Sequence, residues 1–411
     1  MVGEAWFAHP PYDRDPCAVL SSMSGDALET ALADLSGRFA VIARRGSETA
    51  IFNDAFGSRT VCYRAVAPYA VASHSEILAL AFSSDADPEV ARFLTSRFWK
   101  KMPVLLLPGD VTAFGDVFLL APNNAFFLEA GRTRRYWPRR APAAVGFEDF
   151  ATACDSYFEG MARALSGRPV WLSITGGFDS RLLLAALDRF GVAFQTVTWT
   201  KLNFQPWEEE PVAEISRRLG RPHFVVDGRN DQPSDIAVIG ARNGGRRVSG
   251  PHSSVSGMGR LLASDSRSVF VRGVGGEAIR GFFQSKPSRL AALSVDEMVR
   301  AYAIRVPADD HDARDFVRSA FEAYWRRGNF ADPGAAAIDP NDLFYWEHRL
   351  GTWAAESLNT MDPACRNLLG YNSRHLAQTA YGLPSNQRLG GRLFTRLIAR
   401  YRPDLANIPI Q

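Results

Sequence analysis

Between Leu35 and about Trp137, short apolar runs alternate with turn residues, as in Arg38-Phe39-Ala40-Val41-Ile42, Ala50-Ile51-Phe52 and Asn124-Ala125-Phe126-Phe127-Leu128. Runs this short, bounded by turn formers, predict strands, so this half is expected to be β-rich. A stretch at 139–145 made largely of Pro, Ala and Arg has no apolar periodicity and predicts a linker at a domain boundary. Beyond it the pattern changes to strand 170–173, helix 181–190, strand 194–200, helix 209–219 and strand 224–226. Val212, Ile215 and Leu219 fall on one helical face. This alternation predicts an α/β fold with a parallel sheet between helices, and places a ligand at the carboxyl ends of its strands. The segments 342–360 and 392–400 are expected to be helices covering that sheet.

A chain of 411 residues exceeds the size at which one core usually stops growing, about 250 to 300 residues, so two cores are expected, in domains 1–140 and 146–411. Apolar residues at 46% and charged residues at 22% are ordinary for a compact protein and exclude a disordered or fibrous chain. The net charge is only +3, and the basic pairs Arg44-Arg45, Arg217-Arg218, Arg246-Arg247 and Arg326-Arg327 form no stripe, so a nucleic-acid partner is not expected. No run approaches the roughly 18 apolar residues of a membrane span, and residues 1–6 lack a basic segment followed by an apolar run; a cytoplasmic location is expected. Cys17, Cys62, Cys154 and Cys365 are far apart, without a C-x-x-C pair, which argues against a zinc ribbon or disulfide framework. The histidines, among them His74, His223, His252 and His348, have no metal-ligand spacing and are expected to be packed or exposed.

The candidate chemistry starts at Val170-Trp171-Leu172-Ser173-Ile174-Thr175-Gly176-Gly177-Phe178-Asp179-Ser180-Arg181, an apolar strand running through hydroxyl and glycine residues into a helix. Gly176 and Gly177 permit close approach and unusual dihedrals, while free amides at the helix start favour an anion. Ser173, Thr175 and Ser180 add hydroxyl donors. Asp179 beside a phosphate would be repulsive unless a divalent cation lay between them, which makes it a magnesium-ligand candidate. The stretch resembles the S-G-G-x-D-S pyrophosphate loop of the asparagine synthetase family and related ATP pyrophosphatases, with Thr175 in place of the first Ser.

Val269-Phe270-Val271-Arg272-Gly273-Val274-Gly275-Gly276-Glu277-Ala278-Ile279-Arg280-Gly281-Phe282-Phe283 is similar to the second nucleotide segment of that family, G-x-G-x-D-E-x-x-G-G-Y. The resemblance implies Glu277 as second magnesium ligand and nucleotide contacts from Leu172, Ser173, Thr175, Gly176, Gly177, Asp179, Ser180, Trp199, Arg272, Gly273, Gly275 and Gly276. Val274 stands where asparagine synthetases have Glu and β-lactam synthetases have Tyr, and a valine moves no proton. Glu347 and His348 are the candidates for the missing acid or base, a role that typically contributes about 100- to 10,000-fold in rate. Arg392-Leu393-Phe394-Thr395-Arg396 resembles the family's K-x-x-L-R segment, with Arg392 in place of the Lys that reaches the reacting phosphate. A guanidinium there binds pyrophosphate electrostatically and cannot serve as a base.

In the first half, Leu35-Ser36-Gly37-Arg38-Phe39-Ala40, Asn53-Asp54-Ala55-Phe56-Gly57-Ser58-Arg59, Ala72-Ser73-His74-Ser75-Glu76-Ile77 and Arg134-Arg135-Tyr136-Trp137 resemble landmarks of the glutaminase domain of asparagine synthetases. That domain uses an N-terminal Cys with its own amino group as base. Here position 2 is Val2, the first Cys is Cys17, and the strands expected before Leu35 look largely absent. The resemblance therefore implies an Ntn-hydrolase-like remnant that does not use glutamine. β-Lactam synthetases and lasso peptide macrolactam cyclases likewise lack that Cys.

The function implied is an ATP- and Mg2+-dependent carbon–nitrogen ligase that adenylates a substrate carboxylate and joins it to an amine of the same small molecule or peptide, the favoured form, or of a second substrate. Lasso peptide closure, with a precursor peptide and a companion protease as partners, is one form. A non-catalytic nucleotide-binding subunit and an RNA-modifying adenylating enzyme are the alternatives. The pocket for the substrate is expected from 242–258 and the C-terminal helices.

Overall fold

The computed structural model describes residues 1–10, 14–101, 106–200, 209–227, 235–243, 252–263, 265–304 and 308–410; at 199, 200, 227, 237, 240, 241 and 252–254 it describes the backbone alone. The first half contains the strands β1 (Val2–Phe7), β2 (Leu35–Arg45), β3 (Glu48–Asn53), β4 (Cys62–Arg64), β5 (Val71–Ala72), β6 (Val117–Leu119), β7 (Asn124–Phe127) and β8 (Arg132–Arg135). They form an antiparallel five-stranded sheet in the order β1-β2-β3-β7-β8 and a three-stranded sheet in the order β5-β4-β6.

β1 corrects the expectation that strands before Leu35 are largely missing: it pairs with β2 from Val2 opposite Ala40 to Phe7 opposite Leu35. Gly3 and Glu4 break its apolar alternation, which hides it from a pattern search. Gly3 also makes the pairing feasible, because a Cβ at that position would lie 2.2 Å from the Arg38 carbonyl oxygen.

The second half is built on β9 (Val170–Ser173), β10 (Phe194–Thr200), β11 (His223–Asp227), β12 (Val269–Arg272) and β13 (Arg366–Leu369), all parallel and ordered β11-β10-β9-β12-β13. Val170, Leu172, Val269, Phe270 and Val271 are buried, as the continuous apolar runs of a parallel sheet covered on both faces require. The helix after β9 is Phe178–Arg189, starting closer to the strand than its apolar periodicity indicates. Chain order reverses between β9 and β12, so their carboxyl ends flank the crevice where open parallel sheets bind ligands.

One large hydrophobic cluster includes residues of both halves, from Trp6 to Ile408, and smaller clusters lie around Trp171 and Phe270, around Tyr63 and Phe126, and around Cys62 and Leu78. The stretch 139–145 has no regular element. Polar side chains reinforce the seam. Asn372 accepts from the Phe56 amide at 2.9 Å and donates to Asp54 at 2.8 Å and Ser58 at 2.9 Å. Arg374 is fully buried and donates to Asn123 and to the carbonyls of Asn53 and Asp54. Arg38 pairs with Asp362 and Asn359.

Asn372→Ala removes these buried hydrogen bonds, although Phe56, Asp54 and Ser58 keep one another as partners, and should lower unfolding free energy by about 1–3 kcal/mol, read as a lower urea midpoint at unchanged slope. A change under ~0.5 kcal/mol would show that the seam does not couple the halves.

No helix among the described residues is long and apolar enough to cross a membrane.

Candidate functional site

The loop after β9 is braced by its own hydroxyls. Ser180 Oγ accepts from the Thr175 amide at 3.1 Å and lies 2.9 Å from Thr175 Oγ1, which also accepts from the Gly177 amide at 3.3 Å. Thr175 and Ser180 thus shape the loop. Ser173 makes no side-chain hydrogen bond among the described residues and ends β9 beside Leu172. Buried Arg181 donates to the Gly176 carbonyl at 3.0 Å and to the Pro409 carbonyl at 2.9 Å, tying the loop to the C-terminal segment.

Neither Gly176 nor Gly177 has a positive φ. A Cβ at Gly177 would meet Thr175 Oγ1 at 3.5 Å, an ordinary contact, so nothing within the described residues crowds that position.

The unusual backbone falls in the loop after β12, where Gly275 has φ +105° and leads into the short helix Gly276–Ile279. The two loops are in direct contact. A Cβ at Gly273 would lie 2.6 Å from the Ser180 amide nitrogen, and one at Gly276 would lie 2.2 Å from Asp179 Oδ1 and 2.8 Å from the Phe394 ring. Glycine is needed at both positions because the neighbours include backbone and a buried carboxylate.

Asp179, in the first turn of Phe178–Arg189, is gripped by Arg280 through Nε at 3.1 Å and Nη2 at 2.9 Å. Its backbone carbonyl accepts from Tyr371 Oη at 2.5 Å. Burial raises the Asp179 carboxyl above its ordinary range despite Arg280. Glu277 accepts from the Gly275 amide at 3.0 Å, and burial with the neighbouring Asp179 charge pushes it up to about 7. Arg272 is buried next to these groups, donates to Ser357, and is pushed down to about 10 by desolvation.

Asp179 and Glu277 thus share a partly buried place with the guanidinium of Arg280, and Arg272 lies beside Glu277. A pair of carboxylates held this close offers the oxygen ligands a hard divalent cation prefers.

The raised Glu277 carboxyl has a pH consequence. The folded-state pKa of Glu277 lies above its ordinary 4.5, so its contribution to stability is complete below pH 4.5 and is lost as pH rises through about 7. In chelator-treated protein, the thermal midpoint of wild type relative to Glu277→Gln should fall across that window. A flat difference curve would remove the mutual repulsion from the account.

Arg392 opens the helix Arg392–Tyr401 and is exposed. A Cβ on the preceding Gly391 would meet the Phe178 ring at 2.4 Å, so Arg392 stands beside the start of the Asp179 helix with no partner among the described residues. Val274 packs against the core.

Glu347 is fully buried, its two oxygens accept from Arg135 at 2.6 Å and 2.7 Å, and Asn123 donates to it at 2.9 Å, an environment that favours a structural ion pair over proton transfer. His348 is stacked on Phe344 with ring centroids 4.9 Å apart, and its Nε2 accepts from the Gly109 amide. Trp199 pairs with Val226 in the sheet, but its side chain lies outside the described residues, as do positions 244–251 of the expected substrate pocket.

Arg280 and Tyr371 are the site residues that sequence reasoning missed. Arg280 sits one helical turn after Glu277, a spacing that could have flagged it; nothing local marks Tyr371.

No protein-family model matches the chain, and no curated protein does. Among solved structures, it is similar to NMN synthetase from Francisella tularensis at 12% identity and TM-score 0.25, over 50% of this chain and 94% of that one. It is similar to NH3-dependent NAD synthetase from Campylobacter jejuni at 12% identity and TM-score 0.27, over 52% of this chain and 96% of that one. It is also similar to a U34-tRNA thiolase from Methanococcus maripaludis at 10% identity and TM-score 0.27, over 49% of this chain and 80% of that one.

Proposed function

We propose that this chain is an AMP-forming, ATP-dependent carbon–nitrogen ligase that acts without glutamine. The observation that carries the proposal is the meeting of the Ser173–Ser180 and Gly273–Glu277 loops at the carboxyl ends of adjacent parallel strands, with Asp179 against Gly276 and within electrostatic reach of Glu277.

In this reading a substrate carboxylate oxygen attacks the α-phosphorus of ATP, the bond to the β-phosphate oxygen breaks, and pyrophosphate leaves. The substrate amine then attacks the acyl carbon, the bond to the AMP oxygen breaks, and the amine proton passes to water as AMP departs. Asp179 and Glu277 would hold Mg2+, which supplies positive charge between carboxylates and phosphates. The amides of the loop and of the following helix start bind the phosphates. Exposed Arg392 neutralises the departing pyrophosphate with a two-pronged contact. Holding carboxylate and amine in one crevice removes the entropic cost of their encounter.

The resemblance to β-lactam synthetases and lasso peptide cyclases favours ring closure within one substrate, in natural-product biosynthesis. A precursor peptide and companion protease are the partners for the lasso form.

The test is ATP-dependent release of pyrophosphate and AMP on addition of candidate carboxylate–amine substrates, with glutamine and without it, and its loss in Asp179→Ala. Binding of ATP without AMP formation from any of them would favour a non-catalytic nucleotide-binding subunit instead.

A further inference from the structure

A second group of metal-ligating side chains lies where the two halves meet, contributed by neither nucleotide loop. His9 follows β1, Asp34 is the last residue of the helix Gly25–Asp34, and His375 lies in the first turn of the helix Arg374–Tyr381. An imidazole nitrogen from each histidine and a carboxylate oxygen of Asp34 all lie within 4.8 Å of one another. The His9 and His375 rings are 4.2 Å apart between centroids, at 76° to each other.

Each ligand is held in place by its backbone. The Ala8 amide donates to the Asp34 carbonyl at 3.0 Å, which joins the end of β1 to the end of the helix Gly25–Asp34. Ser373 caps the helix that carries His375, and its neighbour Arg374 is buried in the seam against Asn53, Asp54 and Asn123. Two of the ligands therefore come from the first half and one from the second, on elements already fixed to each other.

None of the three side chains makes a hydrogen bond among the described residues, although Asp34 and His375 are partly buried. Burial raises the Asp34 carboxyl above its ordinary range and lowers the His375 imidazole. A carboxylate withdrawn from water without a hydrogen bond is costly unless a cation satisfies it.

We propose that His9, Asp34 and His375 form a binding site for a divalent transition metal of the zinc class, which clasps the strand–helix unit at the start of the chain to the helix Arg374–Tyr381. Two imidazoles and one carboxylate are the ligand set preferred by such an ion, whereas magnesium prefers oxygen alone. Bond lengths of about 2.0–2.2 Å place tetrahedral ligand atoms roughly 3.3–3.6 Å apart, so the three need to draw together only by side-chain rotation. Solvent at the His9 side supplies water as fourth ligand.

The test uses the full chain without a polyhistidine tag, stripped by chelator and titrated with Zn2+ and then Co2+. One equivalent of Zn2+ should bind to wild type and to Asp179→Asn alike, with the visible ligand-field absorption of tetrahedral Co2+. His9→Gln, at the solvent edge and so least disruptive to folding, and Asp34→Asn should each weaken binding by about 100-fold or more and lose that absorption. Circular dichroism confirms that each variant is folded. Equal Zn2+ affinity in wild type, His9→Gln and Asp34→Asn would overturn the site. Loss of binding in Asp179→Asn alone would assign the ion to the nucleotide loops and overturn it as well.

Discussion

Asp179→Asn is expected to reduce carboxylate-dependent pyrophosphate release by about 100- to 1,000-fold, the range seen when one preorganised electrostatic group is removed from a reacting centre. The substitution keeps the shape of the side chain, so the loop braced by Thr175 and Ser180 should persist. Stability should hold or rise. Burial raises the Asp179 carboxyl, so its charge is held at a cost, and removing it leaves Arg280 still attracted to Glu277. Parallel measurement of pyrophosphate release and thermal midpoint separates the two effects. A variant that keeps the wild-type rate would exclude Asp179 from the reaction, and one that loses its fold would locate its role in structure.

The second large effect is expected far from the chemistry. Arg135 and Glu347 expose 1% and 0% of their side chains and join β8 to the long helical segment of the second half through two parallel hydrogen bonds. Glu347→Ala leaves the Arg135 charge buried without its anion, a change that costs about 3–5 kcal/mol. Arg135 retains the Gly328 carbonyl at 2.7 Å and the Asn329 carbonyl at 3.1 Å, which places the loss at the lower end of that range. Guanidinium denaturation measures it directly. Activity of the folded fraction well below the melting temperature should stay at the wild-type value. A specific fall in rate at full folding would restore Glu347 to the chemistry.

Local patterns identified the parts of this protein that are made of neighbouring residues. The apolar runs at 170–173 and 194–200, the helical face of Val212, Ile215 and Leu219, and the glycine-containing turns after two strands all lie within one element or one turn of it. The structure places β9, β10 and the helix Glu209–Leu219 where those patterns put them. Strands whose residues alternate poorly escaped notice. β1 carries Gly3 and Glu4, and β13, Arg366–Leu369, is short and follows a long helical stretch. Both are made strands by their partners, β2 and β12, rather than by their own propensity.

The residues of the loops after β9 and β12 were visible because backbone chemistry confines them to adjacent positions: glycine for close approach, hydroxyls for bracing, and an acid at a helix start. What each acid and base faces was a matter for tertiary structure alone. Glu347 looked free in the sequence and is locked to Arg135; Asp179 looked poised for a metal and also holds Arg280. His9 and His375 have no spacing that suggests a ligand pair, yet folding brings them to Asp34. Periodicity and turn chemistry act over a few residues, so the sequence by itself determined the elements and the loops between them. Charge pairing and ligand geometry depend on distances between segments remote along the chain, and only the packed fold decided those.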